Sequence, residues 1–144
     1  MNNLILTKVR YWRTEENGNQ KKITEQYLVE APTFGKAEER AVEKLAPYAN
    51  DGVEVLQLKM ASYGEVLIQS NIEEPRLFEV KVAIVTIDEK SGKEKRTKVK
   101  CLVVEKDMSE AADRVVEVFQ KWTSDYEITD IRETSIVDIF VNIP

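Results

Sequence analysis

Alternating apolar and polar positions open each half of the chain. Apolar side chains recur at every second residue from Val9 to Tyr11 and again from Val80 to Ile84, which is the period of a β-strand with one face on a core. A polar turn with a glycine, Gly18 or Gly92, follows each run and leads into a second β-type run. Because Asn-Gly and Ser-Gly supply the positive φ of tight turns, each half is predicted to begin as a β-hairpin.

A helical stripe of apolar residues follows each hairpin. Its members are spaced by three, four, four and three positions in both halves, which defines one face of an amphipathic helix. The stripes are Phe34, Ala37, Ala41, Leu45 and Tyr48, and Met108, Ala111, Val115, Phe119 and Trp122. Thr33 and Asp107 are placed to cap the two helices. We expect the helices to pack on a sheet and to bury Leu45 and Phe119 almost completely.

A further β segment closes each half, from Val53 to Ile68 and from Tyr126 to Val141. A turn or bulge interrupts each segment, and the pattern fits one bent strand as well as two. The matched positions of the two halves lie 73 or 74 residues apart, which indicates an internal duplication.

The predicted fold class follows from this duplication. Residues 1–73 and 74–144 are expected to form two ββαβ-type repeats, each too small to bury its own apolar surface, that share one compact domain. The expected architecture is α+β, an antiparallel sheet with two helices packed on it and pseudo-two-fold symmetry.

The composition argues against several common classes of enzyme. The 144 residues include no histidine, which excludes Ser-His and Cys-His nucleophiles and imidazole ligation of metals. The single cysteine, Cys101, lies in an alternating run and is expected to be a buried core thiol rather than a nucleophile. Phosphate-binding loops and metal-ligand spacings are absent from the sequence. We therefore expect a protein that is not an enzyme, with no catalytic residues, no cofactor and no metal.

The sequence also bears on location. It contains no apolar run near the ~20 residues that a membrane span needs. The first six residues lack the basic lead and long apolar region of a signal peptide. We expect a cytoplasmic protein that does not associate with membranes.

The second hairpin carries the most conspicuous charge cluster, from Lys90 to Lys100. Its candidate phosphate contacts are Lys93, Lys95, Arg96 and Lys98, with Lys21 and Lys22 as the counterparts in the first hairpin. The alternative is a solvated hairpin whose lysines discourage edge-to-edge strand pairing. A net charge of −5 repels a polyanion elsewhere on the surface, so nucleic acid is the disfavoured partner.

Two further groups of residues are candidates for a functional site. Glu79-Val80-Lys81 resembles the short Glu-x-Lys arrangement with which nucleases hold a divalent ion, although alternating strands produce it by chance. The aromatic residues are expected to lie in the core rather than to form a ligand cage; they are Tyr11, Trp12, Tyr48, Trp122 and Tyr126. Trp12 is the exception, since a partner chain could cover its face.

Four segments carry a resemblance that extends over nearly the full length, namely residues 8–11, 18–29, 88–92 and 125–128. Through them the chain resembles a family of uncharacterised small proteins encoded by Bacteroidetes and their phages. It implies a phage or mobile-element context and assigns no catalytic residues.

The function predicted from the sequence is a non-enzymatic binding or interaction module of phage or mobile-element type, with a protein partner or self-association. The alternative is an accessory nucleic-acid-binding protein that uses the basic hairpin.

Overall fold

The computed structural model describes residues 2–122 and 125–141. Over these ranges the protein is α+β, with two α-helices and two mixed sheets of four strands each. The strands are β1 (Asn3–Thr14), β2 (Gln20–Ala31), β3 (Asn50–Met60), β4 (Glu65–Leu67), β5 (Arg76–Ile87), β6 (Glu94–Glu105), β7 (Tyr126–Glu133) and β8 (Ile136–Phe140). The helices are α1 (Phe34–Leu45), which continues into a 3-10 turn at Ala46–Tyr48, and α2 (Met108–Phe119).

The first compact unit comprises the described residues of 1–61 and 135–144. Its sheet has the order β3-β1-β2-β8, with β8 parallel to β2 and the other pairs antiparallel. Helix α1 packs against one face of this sheet. The core between them contains Ile5, Val9, Tyr11, Ile23, Tyr27, Val29, Ala31, Ala37, Ala41 and Leu45.

The second compact unit comprises the described residues of 62–134. Its sheet has the order β4-β6-β5-β7, with β4 parallel to β6 and the other pairs antiparallel. Helix α2 packs against one face. Its core contains Phe78, Val80, Val82, Cys101, Val103, Ala111, Val115 and Phe119.

The closing β segment of each half is two strands, and the two strands belong to different sheets. The chain leaves the first sheet after β3 and adds β4 to the second, and it returns after β7 to add β8 to the first. The expectation of one antiparallel sheet is therefore wrong, because each exchanged strand lies parallel to its new neighbour. The compact units consequently divide the chain differently from the predicted repeats, 1–73 and 74–144.

The predicted turns, caps and central core residues are confirmed. Gly18 and Gly92 occupy the hairpin turns with φ of +85° and +69°, where a glycine avoids strain. Thr33 and Asp107 accept hydrogen bonds from the third residue that follows each of them, at 3.1 and 2.8 Å. Leu45 is 4% exposed and Phe119 is fully buried.

The outer members of both helical stripes are exposed, against expectation. They are Phe34, Tyr48, Met108 and Trp122. The twelve-residue helices begin at Phe34 and Met108 and end three residues before Tyr48 and Trp122, so the ends of the stripes pass beyond the part of each helix that the sheet covers. Tyr48 lies on the 3-10 turn, whose tighter winding rotates its side chain away from the stripe.

The prediction that the aromatic residues are core is correct for Tyr11 and wrong for Tyr48 and Trp122; Trp12 is the expected exception. Tyr11 is 5% exposed and Tyr126 is partly buried against Phe119, whereas Trp12 and Tyr48 are exposed. Trp122 is also exposed, although its ring contacts Phe119 with centroids 5.2 Å apart. No helix among the described residues is long and apolar enough to cross a membrane.

Candidate functional site

A cleft of about 600 Å³ opens in the first unit, beside the C-terminal end of α1. Its lining comes from β1 and β2, from the end of α1 with the 3-10 turn, and from Val137 to Val141 in and after β8. Polar and apolar side chains both face it, and its volume lies in the range of small-ligand and peptide sites.

A carboxylate shared by two tyrosines forms the polar centre of the cleft. Glu25 lies opposite Val9 in the β1–β2 ladder, and Tyr11 is two residues further along β1 on the same face, a diagonal that long side chains can span. The hydroxyls of Tyr11 and Tyr27 donate to Glu25 Oε1 at 2.7 and 2.9 Å. The period of the strands therefore brings all three side chains to one point.

Both tyrosines are held in the neutral, donating form. Burial raises the pKa of Tyr11 above its usual value, and the hydrogen bond to the Glu25 carboxylate raises it further. The same causes, in the same order, raise the pKa of Tyr27 strongly. Ionising either phenol would place a second negative charge beside Glu25 in a partly desolvated site.

Three charged groups in the cleft have atoms without a partner among the described residues. Glu25 Oε2 has no hydrogen-bond partner in the described part of the chain. Arg13 and Lys44 line the cleft, and neither forms an ion pair with another described residue. Asp138 also lines the cleft, and its Oδ1 accepts a hydrogen bond from the Ile139 N–H. The site thus offers two carboxylates and two cations to a ligand.

Apolar side chains complete the wall. The ring of Phe140 stacks on Tyr27 with centroids 4.7 Å apart and planes inclined by 18°. Leu45 lies buried at the floor, and Tyr48 stands at the rim with 66% of its surface exposed. An exposed aromatic beside charged groups is typical of residues that anchor a bound partner.

The corresponding place in the second unit is apolar. At offsets of 73 or 74, Ile84 stands for Tyr11, Val99 for Glu25, Cys101 for Tyr27 and Phe119 for Leu45. These four side chains pack in or against one core cluster. The polar centre belongs to the first unit, and its counterpart in the second is part of a hydrophobic core.

The structure divides the cations of the basic hairpin. Lys93 lies in the turn, Lys95 lies on one face of β6, and Arg96 and Lys98 lie on the other, because successive side chains alternate along a strand. Arg96 forms an ion pair with Glu127 of β7. Of the four predicted phosphate contacts in this hairpin, only Arg96 and Lys98 therefore share one face of β6.

The two candidate lysines of the first hairpin are engaged separately. Lys21 Nζ lies 3.9 Å from a carboxylate oxygen of Glu15, and Lys22 Nζ lies 5.8 Å from the centre of the Trp12 ring. Both contacts are exposed and local to the β1–β2 hairpin, as expected of a solvated surface.

Glu79 forms a structural ion cluster. Its side chain is 2% exposed; Oε1 lies 3.3 Å from Lys100 Nζ and Oε2 lies 2.5 Å from Arg132 Nη2. Burial alone would raise the pKa of Glu79, but hydrogen bonds from the two cations outweigh it and the pKa is lowered. Both carboxylate oxygens have cationic partners, so this geometry does not support the Glu-x-Lys interpretation as a metal site. Among the described residues, no group of three or more acidic or cysteine side chains is placed to hold a metal ion.

Cys101 is fully buried, as predicted. Burial, with a smaller contribution from the charge of Glu65, raises the pKa of its thiol to about 11. The thiol is therefore protonated at neutral pH and inert as a nucleophile.

The cleft was missed from the sequence, although one signal was present. Glu25 interrupts an otherwise apolar face between Ile23 and Tyr27, and the position 74 residues later is Val99. Comparing the two halves could have found this difference, because one half has a carboxylate where the other has an apolar side chain.

The chain belongs to a family whose function is unknown. The family model described as Domain of unknown function (DUF4494) matches residues 3–142. No curated protein matches the sequence.

Proposed function

We propose that this member of the DUF4494 family is a non-enzymatic binding module and that the cleft of the first unit is its binding site. One observation carries the proposal: Glu25 Oε2, Arg13 and Lys44 line one cleft without partners from the described chain. Convergent polar groups in a concavity that also has apolar walls are a usual form of binding site.

The chemistry of the cleft favours holding a ligand over transforming it. General acids and bases work best with a pKa near the operating pH. The pKa values of Tyr11 and Tyr27 are shifted upward, away from neutrality. The two phenols are suited to fixing the orientation of Glu25, which then presents Oε2 to a bound molecule.

An internal duplication with pseudo-two-fold symmetry is part of the proposal. Strands β1 and β5 are offset by 73 residues at both ends, and β2 and β6, like α1 and α2, by 74. The pairing irregularity between Lys8 and Val9 recurs between Lys81 and Val82, again at 73. Divergence after duplication would explain why only one unit carries the polar centre.

The proposal also includes the setting of the protein. The resemblance stated above supports a phage or mobile-element context, and the single cysteine is compatible with the cytoplasm. A protein partner, or a second copy of the chain, is the expected class of ligand.

Protein-observed NMR with a fragment library tests the binding site. We expect fragments that carry an amine or a carboxylate to shift resonances of Glu25, Lys44 and Tyr48. Tyr48→Ala should weaken these shifts, whereas the matched change Trp122→Ala, an exposed aromatic after the other helix, should not. Shifts confined to the second unit, or none across the library, would refute the cleft as a binding site.

The alternative is an accessory nucleic-acid-binding protein that uses the basic hairpin. Six basic and three acidic residues lie between positions 88 and 100, a local excess that could attract phosphate. The division of the cations between two faces and the Arg96–Glu127 pair disfavour a continuous contact.

A binding assay decides this alternative. We expect the unmodified protein to bind no nucleic acid even at low salt, where the attraction is greatest. Micromolar, salt-sensitive binding that disappears when Lys93, Lys95, Arg96 and Lys98 are all changed to glutamine would establish the alternative instead.

A further inference from the structure

The cleft runs along the free edge of a strand. Every residue from Val137 to Val141 lines it. Because successive side chains of a strand point to opposite faces, consecutive residues can all border one cleft only if it lies beside the strand edge. In the described sheet, β8 has β2 on one side and no strand on the other.

Two residues of this edge are exposed, and one of its N–H groups bonds to a neighbouring side chain. Val137 and Asp138 are exposed. The N–H of Ile139 donates to its neighbour Asp138 Oδ1 at 2.8 Å, so a flexible side chain occupies a donor that a partner strand could use. Unpaired N–H and C=O groups of an edge strand are a template for an added strand.

The side chains around the edge specify the chemistry of an occupant. Arg13 and Lys44 call for an acidic group, since neither forms an ion pair with a described residue, Asp138 of the cleft wall included. Glu25 Oε2 calls for a hydrogen-bond donor. Leu45 and the exposed ring of Tyr48 call for an apolar side chain. An extended peptide supplies all three, because its backbone N–H groups donate and its side chains alternate.

We propose that the cleft binds an extended segment of a partner protein, which adds to β8 as a fifth strand and places an acidic side chain between Arg13 and Lys44. This inference rests on the proposed function. The five residues of β8 span roughly 17 Å at ~3.3 Å per residue, so the segment should contain about five paired residues.

A displayed library of random nine-residue peptides, selected against the full chain, tests the proposal. We expect enriched peptides in which apolar residues alternate with Asp or Glu. Fluorescence polarisation with the best peptide should then show at least a tenfold loss of affinity in Tyr48→Ala and in Arg13→Glu with Lys44→Glu.

Matched control variants test whether the loss of peptide affinity is specific to the cleft. Trp122→Ala removes an exposed aromatic from the other unit, and Lys90→Glu with Lys93→Glu makes the same change of net charge in the second hairpin. Both should leave affinity within about twofold, because contacts outside the site contribute little.

Backbone methylation of the peptide tests strand addition directly. Because only alternate amides of an edge-paired strand face its neighbour, N-methyl groups at one alternate set should abolish binding and the other set should be tolerated. Equal tolerance of both sets would overturn strand addition.

Failure of this inference can be distinguished from failure of the proposed function. If no peptide is enriched but fragments bind the cleft, the site takes small molecules and the inference is wrong. If neither binds, both proposals fail. Peptides whose affinity responds equally to the cleft variants and their controls would also overturn the inference.

Discussion

Removing the Tyr27 hydroxyl tests the hydrogen-bonded centre of the cleft. Tyr27→Phe keeps a ring that is 5% exposed and stacked on Phe140, and deletes only the 2.9 Å bond to Glu25 Oε1. A hydrogen bond to a charged group contributes about 1.5–3 kcal/mol. Because Oε1 keeps the 2.7 Å bond from Tyr11 and water can enter the cleft, we expect a loss near the lower end, about 1.5 kcal/mol.

The double variant provides the sharper measurement. Changing Tyr11 and Tyr27 together removes the second donor and leaves the partly buried Glu25 carboxylate without either bond. The combined loss in the free energy of unfolding should exceed the sum of the single losses by about 1 kcal/mol, as for residues in one network. Urea unfolding at pH 7 measures it, with the exposed Tyr48→Phe as a control that changes stability by less than ~0.5 kcal/mol.

The same variants should alter the response to alkaline pH. Burial and then the Glu25 carboxylate raise the folded-state pKa of both tyrosines. A raised pKa means that this stabilisation is complete below the unfolded value of about 10 and is lost as pH rises above it. Wild type should therefore lose more stability above pH ~10 than Tyr27→Phe does. Equal losses, or strictly additive single variants at pH 7, would refute the shared carboxylate.

Four further predictions concern core packing, a buried ion pair, the Cys101 thiol and a helix cap. Phe119→Ala should cost about 3–5 kcal/mol in urea unfolding because its ring is fully buried; a change near zero would show that α2 is not packed on the sheet. Arg132→Ala, which removes one cation from the buried Glu79, should lower the free energy of unfolding more than Glu79→Leu, which removes the buried charge itself; equal losses would contradict this asymmetry. The Cys101 thiol, with its pKa raised to about 11, should react with a disulfide reagent at pH 8 only after unfolding, and rapid reaction of the native protein would show that it is accessible. Asp107→Ala should lower the free energy of unfolding by about 1 kcal/mol through loss of the helix cap, and an unchanged value would show that the cap does not stabilise α2.

Elements with local signals could be predicted from the sequence. The glycine turns and the helix caps depend on a few adjacent residues, and the structure contains them where expected. The ends of the helical stripes were wrong because periodicity continues past the last residue that the sheet can cover. Tyr48 fits the spacing of α1, yet the backbone has already changed to a 3-10 turn.

The pairing of the exchanged strands could not be predicted in this way. The apolar pattern of β8 fits an edge position in either sheet, and its partner β2 lies more than a hundred residues earlier in the chain. The cleft depends on that pairing, since Phe140 reaches Tyr27 only because β8 joins the first sheet. Local periodicity contains no information about such a contact.

The exchange of strands β4 and β8 between the two sheets also offers a reason why only one unit has a polar cleft. Strand β4, which follows β3 of the first sheet in the chain, belongs to the second sheet. Strand β8, which follows β7 of the second sheet, belongs to the first. Loss of either half would therefore remove a strand from the sheet of the half that stays. If the halves arose by duplication, this mutual dependence would retain both for stability, while selection for binding would need to act on only one. On that history the second unit would be open to substitution of its polar centre by Ile84, Val99 and Cys101, side chains that strengthen a hydrophobic core.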